Sequence, residues 1–140
     1  MKLASAQFPI PAPDRGEARL FNMIEYLRSV VLAQPEALER FHVVFVDAKR
    51  RYIGAAAMGQ GAISVITLRM RELFRSALAL NATAIIVAHN HPSGDCRPSE
   101  TDITETRRLA AIAEALDIEL IDHLIFTPNS LYSMRAGGDL

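Results

Sequence analysis

The pattern of apolar and polar residues predicts a chain that mixes helices with strands. Apolar residues recurring every three to four positions predict helices over about 15–33, 68–80 and 99–116. Short runs rich in β-branched and aromatic residues predict strands over 41–46, 51–58, 83–88, 118–126 and 131–134. Because the two kinds of element do not alternate strictly, we expect an α/β sandwich around a mixed β-sheet rather than a doubly wound parallel sheet.

Local signals refine the ends and faces of these helices. Asp14 precedes the first helix and is a candidate N-cap. The buried side of the first helix is expected to contain Leu20, Met23, Ile24, Leu27, Val30 and Val31. That of the second is expected to contain Leu73, Phe74, Ala77 and Leu78. That of the third is expected to contain Ile103, Leu109, Ala110, Ala113 and Leu116.

Three prolines near the N-terminus, Pro9, Pro11 and Pro13, rule out a helix there because proline lacks the backbone N–H that a helix needs. We therefore expect residues 1–14 to form an extended lead-in. The remaining residues, 15–140, are expected to form a single domain whose core spans about 36–134.

The composition fits a domain with its own core. The chain has 140 residues, 50% of them hydrophobic, and a net charge of −1. The near-neutral charge gives no overall positive field for nucleic acid. With no apolar run of about 18 residues and no signal-peptide pattern, we expect no membrane partner. The same absences predict a cytoplasmic location, and the single cysteine, Cys96, which cannot form an internal disulfide, fits such a reducing compartment.

The candidate chemistry lies where the predicted strand 83–88 ends. His89 and His91 follow it, and side chains two apart in an extended backbone leave the same face. The two imidazoles can therefore bind one ion from one side. A helix that opens at Ser99 would bring Asp102 back towards them in its first turn. Two histidines and a carboxylate, with a fourth position for water, are the ligand set of a catalytic zinc site, so His89, His91 and Asp102 are predicted to bind one zinc ion per chain.

Asp102 and Ser99 also admit a purely structural interpretation. Ser99-x-x-Asp102 matches a capping box, in which the N-cap hydroxyl and the acid three residues later satisfy free backbone N–H groups. The two histidines favour the ligand interpretation of Asp102. Ser99 remains a candidate for both a cap and a catalytic partner.

The spaced residues H-x-H-x7-S-x-x-D resemble the RadC-like branch of the JAMM (JAB/MPN) zinc metalloprotease family. The resemblance extends from about Glu39 to Ser133 and includes Asn81-Ala82, Asp122-His123 and Tyr132-Ser133. It implies a cytidine-deaminase-like α/β fold with a mixed β-sheet packed between helices. It also implies one zinc ion and hydrolysis of peptide or isopeptide bonds.

The resemblance also suggests roles for further residues. The family places a serine where Ser99 stands, to hydrogen-bond the attacking water or the oxyanion. It places a general base just before a core strand upstream of the histidines, a position that Glu39 matches. Glu72 resembles another family position and is the rival acid. A solvated charge at a strand start is the ordinary alternative for Glu39.

Three functions follow as hypotheses. The first is a zinc-dependent peptidase or isopeptidase with a protein or peptide substrate. The second is a DNA-repair-associated protein whose metal site is structural or acts on nucleic acid, although the net charge does not support DNA as a partner. The third is a non-catalytic docking module. Family members often pair, so a homodimer is a candidate assembly.

Overall fold

The computed structural model describes residues 9–35, 37–60 and 65–140. Residues 1–8 of the predicted lead-in lie outside the described residues. The helices of the described part are α1 (Leu20–Val31), α2 (Val65–Ala79) and α3 (Glu100–Ala115). Its strands are β1 (Arg40–Val46), β2 (Tyr52–Gln60), β3 (Ala84–Asn90), β4 (Glu119–Thr127) and β5 (Ser130–Ser133).

The five strands form one mixed sheet in the order β2-β1-β3-β4-β5. β1 is antiparallel to both β2 and β3, β3 is parallel to β4, and β4 is antiparallel to β5. Parallel neighbours need a crossover connection, and α3 supplies it between β3 and β4. The predicted α/β sandwich around a mixed sheet is confirmed.

Helices cover both faces of the sheet. On one face, α2 and α3 pack on a core centred on Phe41, Val43, Ile85, Val87 and Leu109. On the other face, α1 packs through Met23 and Leu27 on a second core of strand residues. All seven residues of β3 are buried, because this central strand is covered on both sides. That double coverage explains why its sequence is an unbroken apolar run up to the first histidine.

The start of α1 differs from the prediction. The helix begins at Leu20, its cap position is the extended Arg19 with no side-chain cap hydrogen bond, and the proposed N-cap Asp14 lies outside it. The reason is backbone pairing with β2. Gly16 N–H donates to Tyr52 C=O at 2.8 Å, and Tyr52 N–H donates to Glu17 C=O at 2.7 Å, which keeps these residues out of the helix.

Three apolar residues predicted to be buried are exposed. Leu20 is 49% exposed at the first residue of α1, and Leu116 is 39% exposed at the C-cap of α3. Leu78 is 56% exposed, because the buried stripe of α2 runs through Met70, Leu73, Phe74 and Ala77 and the next residue turns away from the sheet. The periodicity located each helix but predicted too many buried residues near the helix ends and at the border of the buried face.

Two strands are longer than predicted. β3 continues through His89 and Asn90, because β1 and β4 pair with His89 and β4 pairs with Asn90. β2 continues through Gly59 and Gln60 rather than entering a loop. Within the described part of the chain, no helix is both long enough and apolar enough to cross a membrane.

Candidate metal centre

The end of β3 positions both histidines. His89 pairs with Phe41 on β1 and Ile125 on β4, so its backbone is fixed on both sides. Its imidazole is fully buried and stacks on the Phe41 ring, with ring centroids 4.6 Å apart. His91 lies one residue past the strand, where its N–H donates to Phe126 C=O at 3.0 Å. Two neighbouring strands therefore hold the imidazoles on the same face of the sheet.

The first turn of α3 delivers the carboxylate. Ser99 is the N-cap, and its Oγ accepts a hydrogen bond from Asp102 N–H at 3.0 Å. Asp102 Oδ2 accepts in return from Ser99 N–H at 2.9 Å, which completes the capping box. The carboxylate is only 2% exposed and faces the histidines. Asp102 therefore caps the helix and also lies beside the imidazoles, so the two interpretations of this residue are compatible.

The three side chains converge on one point. His89 Nε2 and His91 Nε2 are 2.9 Å apart, His91 Nε2 is 3.1 Å from Asp102 Oδ2, and His89 Nε2 is 3.7 Å from Asp102 Oδ1. Ligand atoms about 2.1 Å from a tetrahedral zinc ion lie roughly 3.4 Å from one another, so these separations fit one ion. The three residues form a group that can hold a metal ion. Of the three side chains, that of His91 is the most exposed, at 15%.

The orientation of His91 is fixed by the loop that follows it. Its Nδ1 is 2.8 Å from the backbone carbonyl of Asp95. A carbonyl only accepts hydrogen bonds, so Nδ1 carries a proton, and in the neutral ring Nε2 is the nitrogen whose lone pair can bind a metal. That nitrogen is the one that lies near Asp102.

The orientation of His89 is fixed from behind by a buried relay. Its Nδ1 is 2.6 Å from His123 Nε2, and His123 Nδ1 is 2.7 Å from Thr106 Oγ1. If His89 Nδ1 donates to His123, then His123 donates to Thr106, and His89 Nε2 is left free for a metal. Such partners orient metal-binding histidines and keep them in the required tautomer.

The charges of the three groups are coupled. Although burial opposes ionisation of Asp102, hydrogen bonds from His91 and the Ser99 N–H bring its pKa to about 2. The hydrogen bond to Asp102 raises the pKa of His91. Burial, reinforced by His123, lowers the pKa of His89 well below its usual value. Metal binding requires an ionised carboxylate and unprotonated Nε2 atoms, so an ion would displace the Nε2 proton that His91 donates to Asp102.

The two candidate general bases lie in different surroundings. Glu39 immediately precedes β1, is half-buried, and interacts electrostatically with His91 and Asp102. Burial raises its pKa. Glu72 lies on the exposed side of α2, where it forms an ion pair with Arg69 at 3.3 Å. Of the two acids, the structure places Glu39 near the histidines.

Sequence reasoning missed two residues that support the centre. Thr106 ends the relay behind His89, and Phe41 stacks on the same imidazole. Thr106 follows Asp102 by four residues, so both lie on one face of α3, and this spacing was an available signal. No local pattern could have shown that Phe41 meets His89, because that contact depends on strand register.

The fold and the site together define a class: an α/β domain with a His-His-Asp group that could bind a metal ion at the end of a central strand. The RadC-like JAB domain family matches residues 20–139. A UPF0758 protein of Cupriavidus pinatubonensis is 40% identical over 115 residues, which are 82% of this chain and 50% of that protein. One of Paraburkholderia xenovorans is 39% identical, covering 81% and 44%. One of Acidithiobacillus ferrooxidans is 43% identical, covering 71% and 45%.

The chain belongs to the RadC-like JAB domain family. This confirms the family suggested by the motif. The chain spans about half the length of the curated relatives it matches. The names of these relatives state no activity.

Proposed function

We propose that the chain is a zinc-dependent hydrolase of peptide or isopeptide bonds. The observation that carries the proposal is the convergence of two imidazole nitrogens and one carboxylate on one point, beside a partly exposed His91. Nitrogen and carboxylate ligands suit zinc, and three protein ligands leave the position that a catalytic site needs. Zinc held by His89, His91 and Asp102 would supply a Lewis acid and lower the pKa of water to about 7.

Glu39 is proposed as the general base. Glu39 lies two residues before Phe41, the partner of His89, and it interacts electrostatically with His91 and Asp102. Its carboxylate there would take a proton from the attacking water and pass it to the leaving nitrogen. The raised pKa of Glu39 makes its protonated form easier to reach, which suits the second transfer. The ion pair that Glu72 forms on the outside of α2 supports Glu39 over that rival.

Ser99 is proposed to stabilise the oxyanion. Its capping role uses the hydroxyl oxygen as an acceptor for Asp102 N–H. A hydroxyl also has a proton to donate, so the cap does not prevent a hydrogen bond to a developing negative charge. Because Ser99 is exposed at the start of α3, a substrate can reach it.

The test is cleavage of peptide libraries and ubiquitin-like isopeptide conjugates by the zinc-loaded chain. Glu39→Gln should lower the rate by about 100- to 10,000-fold, as loss of a general base does, with zinc content unchanged. Glu72→Gln is the matched control and should retain the rate. Equal rates for the parent chain and Glu39→Gln would overturn the proposed mechanism, and loss only in Glu72→Gln would transfer the role to that residue.

A further inference from the structure

The residue between the two histidines, Asn90, faces away from the metal-binding group. His89 and His91 leave one face of the sheet, and Asn90, one residue out of phase, leaves the other. Asn90 is nevertheless 2% exposed, and a buried polar side chain needs hydrogen-bond partners. The Asn90 side chain does not contribute to the metal-binding group, so its role has to be inferred from its hydrogen-bond partners.

Both partners of Asn90 flank Glu39. The amide nitrogen of Asn90 donates to Leu38 C=O at 2.9 Å, and its Oδ1 accepts from Arg40 N–H at 2.6 Å. The Leu38 carbonyl belongs to the peptide group on the N-terminal side of Glu39, and the Arg40 N–H belongs to the one on its C-terminal side. One carboxamide therefore holds the two peptide groups whose orientation sets the backbone dihedral angles of Glu39.

The position of these bonds in the sheet explains why an asparagine suits it. Backbone pairing between β1 and β3 ends at Phe41 and His89. One residue further, the Asn90 carboxamide takes the place of a backbone peptide, because it donates and accepts as a peptide group does. The partners also fix its orientation, since the carbonyl needs a donor and the N–H needs an acceptor. An aspartate offers only acceptors, so it could replace one of the two bonds.

We infer that Asn90 is a positioning residue that fixes the backbone of Glu39 and so holds its carboxylate beside the metal centre. The inference rests on the proposed function, because it gives Glu39 its role as base. It assigns the histidines and the intervening asparagine of one tripeptide to different tasks on opposite faces of a strand. The Asn90 side chain lies on the face opposite the two histidines, so it acts through Glu39.

The position of Glu39 can be measured without an activity assay. The full chain is labelled with ¹³C at glutamate carboxyls and loaded with Co²⁺, and the paramagnetic effect on each carboxyl is compared with that in the Zn²⁺-loaded chain. The Glu39 signal is assigned by its loss in Glu39→Gln. In Asn90→Leu, the effect on Glu39 should fall several-fold, and the Arg40 N–H should exchange about tenfold faster because it has lost an ordinary hydrogen bond.

Two further variants separate positioning from general destabilisation. Asn90→Asp keeps the size of the side chain and one acceptor, so the change in the Glu39 signal should be intermediate. This variant provides the test if Asn90→Leu folds poorly. Thr127→Val is the control, because it removes a buried polar group that is not the Asn90 carboxamide. The Thr127 hydroxyl lies at the same end of the sheet and hydrogen-bonds Ser130, so its loss should leave the Glu39 signal unchanged. An unchanged Glu39 signal in both Asn90 variants overturns the inference.

Hydrolysis provides a second, separate readout. Asn90→Leu should lower kcat by up to about 100-fold with little change in KM, as small misplacements of catalytic groups do. In the Glu39→Gln background the same change should have little further effect, because Asn90 acts through Glu39. Equal losses in both backgrounds would overturn the inference alone. A parent chain that binds Co²⁺ near Glu39 but hydrolyses nothing overturns the proposed function alone, and a chain that binds no metal overturns both.

Discussion

The sheet carries a buried histidine cluster on one face and a single partly buried histidine on the other, and the two differ in their neighbours. His89 is held by His91, Asp102 and His123, and its Nε2 lies near a carboxylate. His42 follows Phe41, the β1 residue that pairs with His89. Its imidazole contacts the Tyr26 hydroxyl of α1 at 2.9 Å. Burial lowers the pKa of His42 to about 4.

The difference shows what turns a buried imidazole into a candidate site. Burial alone makes a neutral ring that is satisfied by one neutral hydroxyl, as at His42. A candidate metal centre needs, in addition, a carboxylate that ionises despite burial and a second imidazole whose lone pair is aimed at the same point. The capping box of α3 holds the carboxylate of Asp102, and the loop carbonyl of Asp95 orients the imidazole of His91.

The strongest test of this comparison removes a histidine from each face. Zinc at 100 times its Kd should raise the free energy of unfolding by about 2.7 kcal/mol, if it binds only the folded chain. His89→Ala should abolish this rise, whereas His42→Ala should retain it. Thermal unfolding with and without zinc measures both. An undiminished rise in His89→Ala would show that the ion binds elsewhere.

The relay behind His89 gives a smaller effect. His123→Gln should weaken zinc binding by about 10- to 100-fold, because it disturbs the partner that keeps His89 in the metal-binding tautomer. Thr106→Val, at the far end of the relay, should weaken it less. Competition with a chromophoric chelator measures the Kd. A Kd that is the same in both variants as in the parent chain would mean that the relay only fills space.

The pH dependence of stability tests the other face. The pKa of His42 is lowered from 6.5 to about 4 by burial, so the unfolded chain binds more protons between these values. Its contribution to stability is therefore complete above pH 6.5 and is lost as the pH falls through 4. Discounted for partial exposure, the loss between pH 7 and pH 5 is about 1 kcal/mol.

A pair of variants isolates that contribution. His42→Phe should remove it, so chemical denaturation at pH 7 and pH 5 should give a smaller difference than in the parent chain. Tyr26→Phe keeps the imidazole and should retain most of the pH dependence, although it loses the hydroxyl contact. The same pH dependence in His42→Phe as in the parent chain would contradict the assignment.

The convergence of the three candidate ligands and the sheet class could be predicted from the sequence because they depend on local order. His89 and His91 share a face through the two-residue period of a strand, and Asp102 returns through one helical turn. The relay through His123 and the contact of Asn90 with the peptide groups around Glu39 depend on which strands are neighbours. Strand order and register depend on contacts between residues far apart in the sequence, so no short stretch of it reveals them.

The smallest effect separates the two roles that meet in Asp102. Ser99→Ala removes the N-cap hydroxyl and should lower the free energy of unfolding by about 0.5 to 1 kcal/mol, while zinc still stabilises the chain. Asp102→Asn keeps an oxygen that can accept from Ser99 N–H but removes the charge, so it should keep the cap and lose zinc binding. Thermal unfolding of both variants with and without zinc measures the separation. If Ser99→Ala lost the zinc response as completely as Asp102→Asn, the cap would be a condition for the metal centre rather than a neighbour of it.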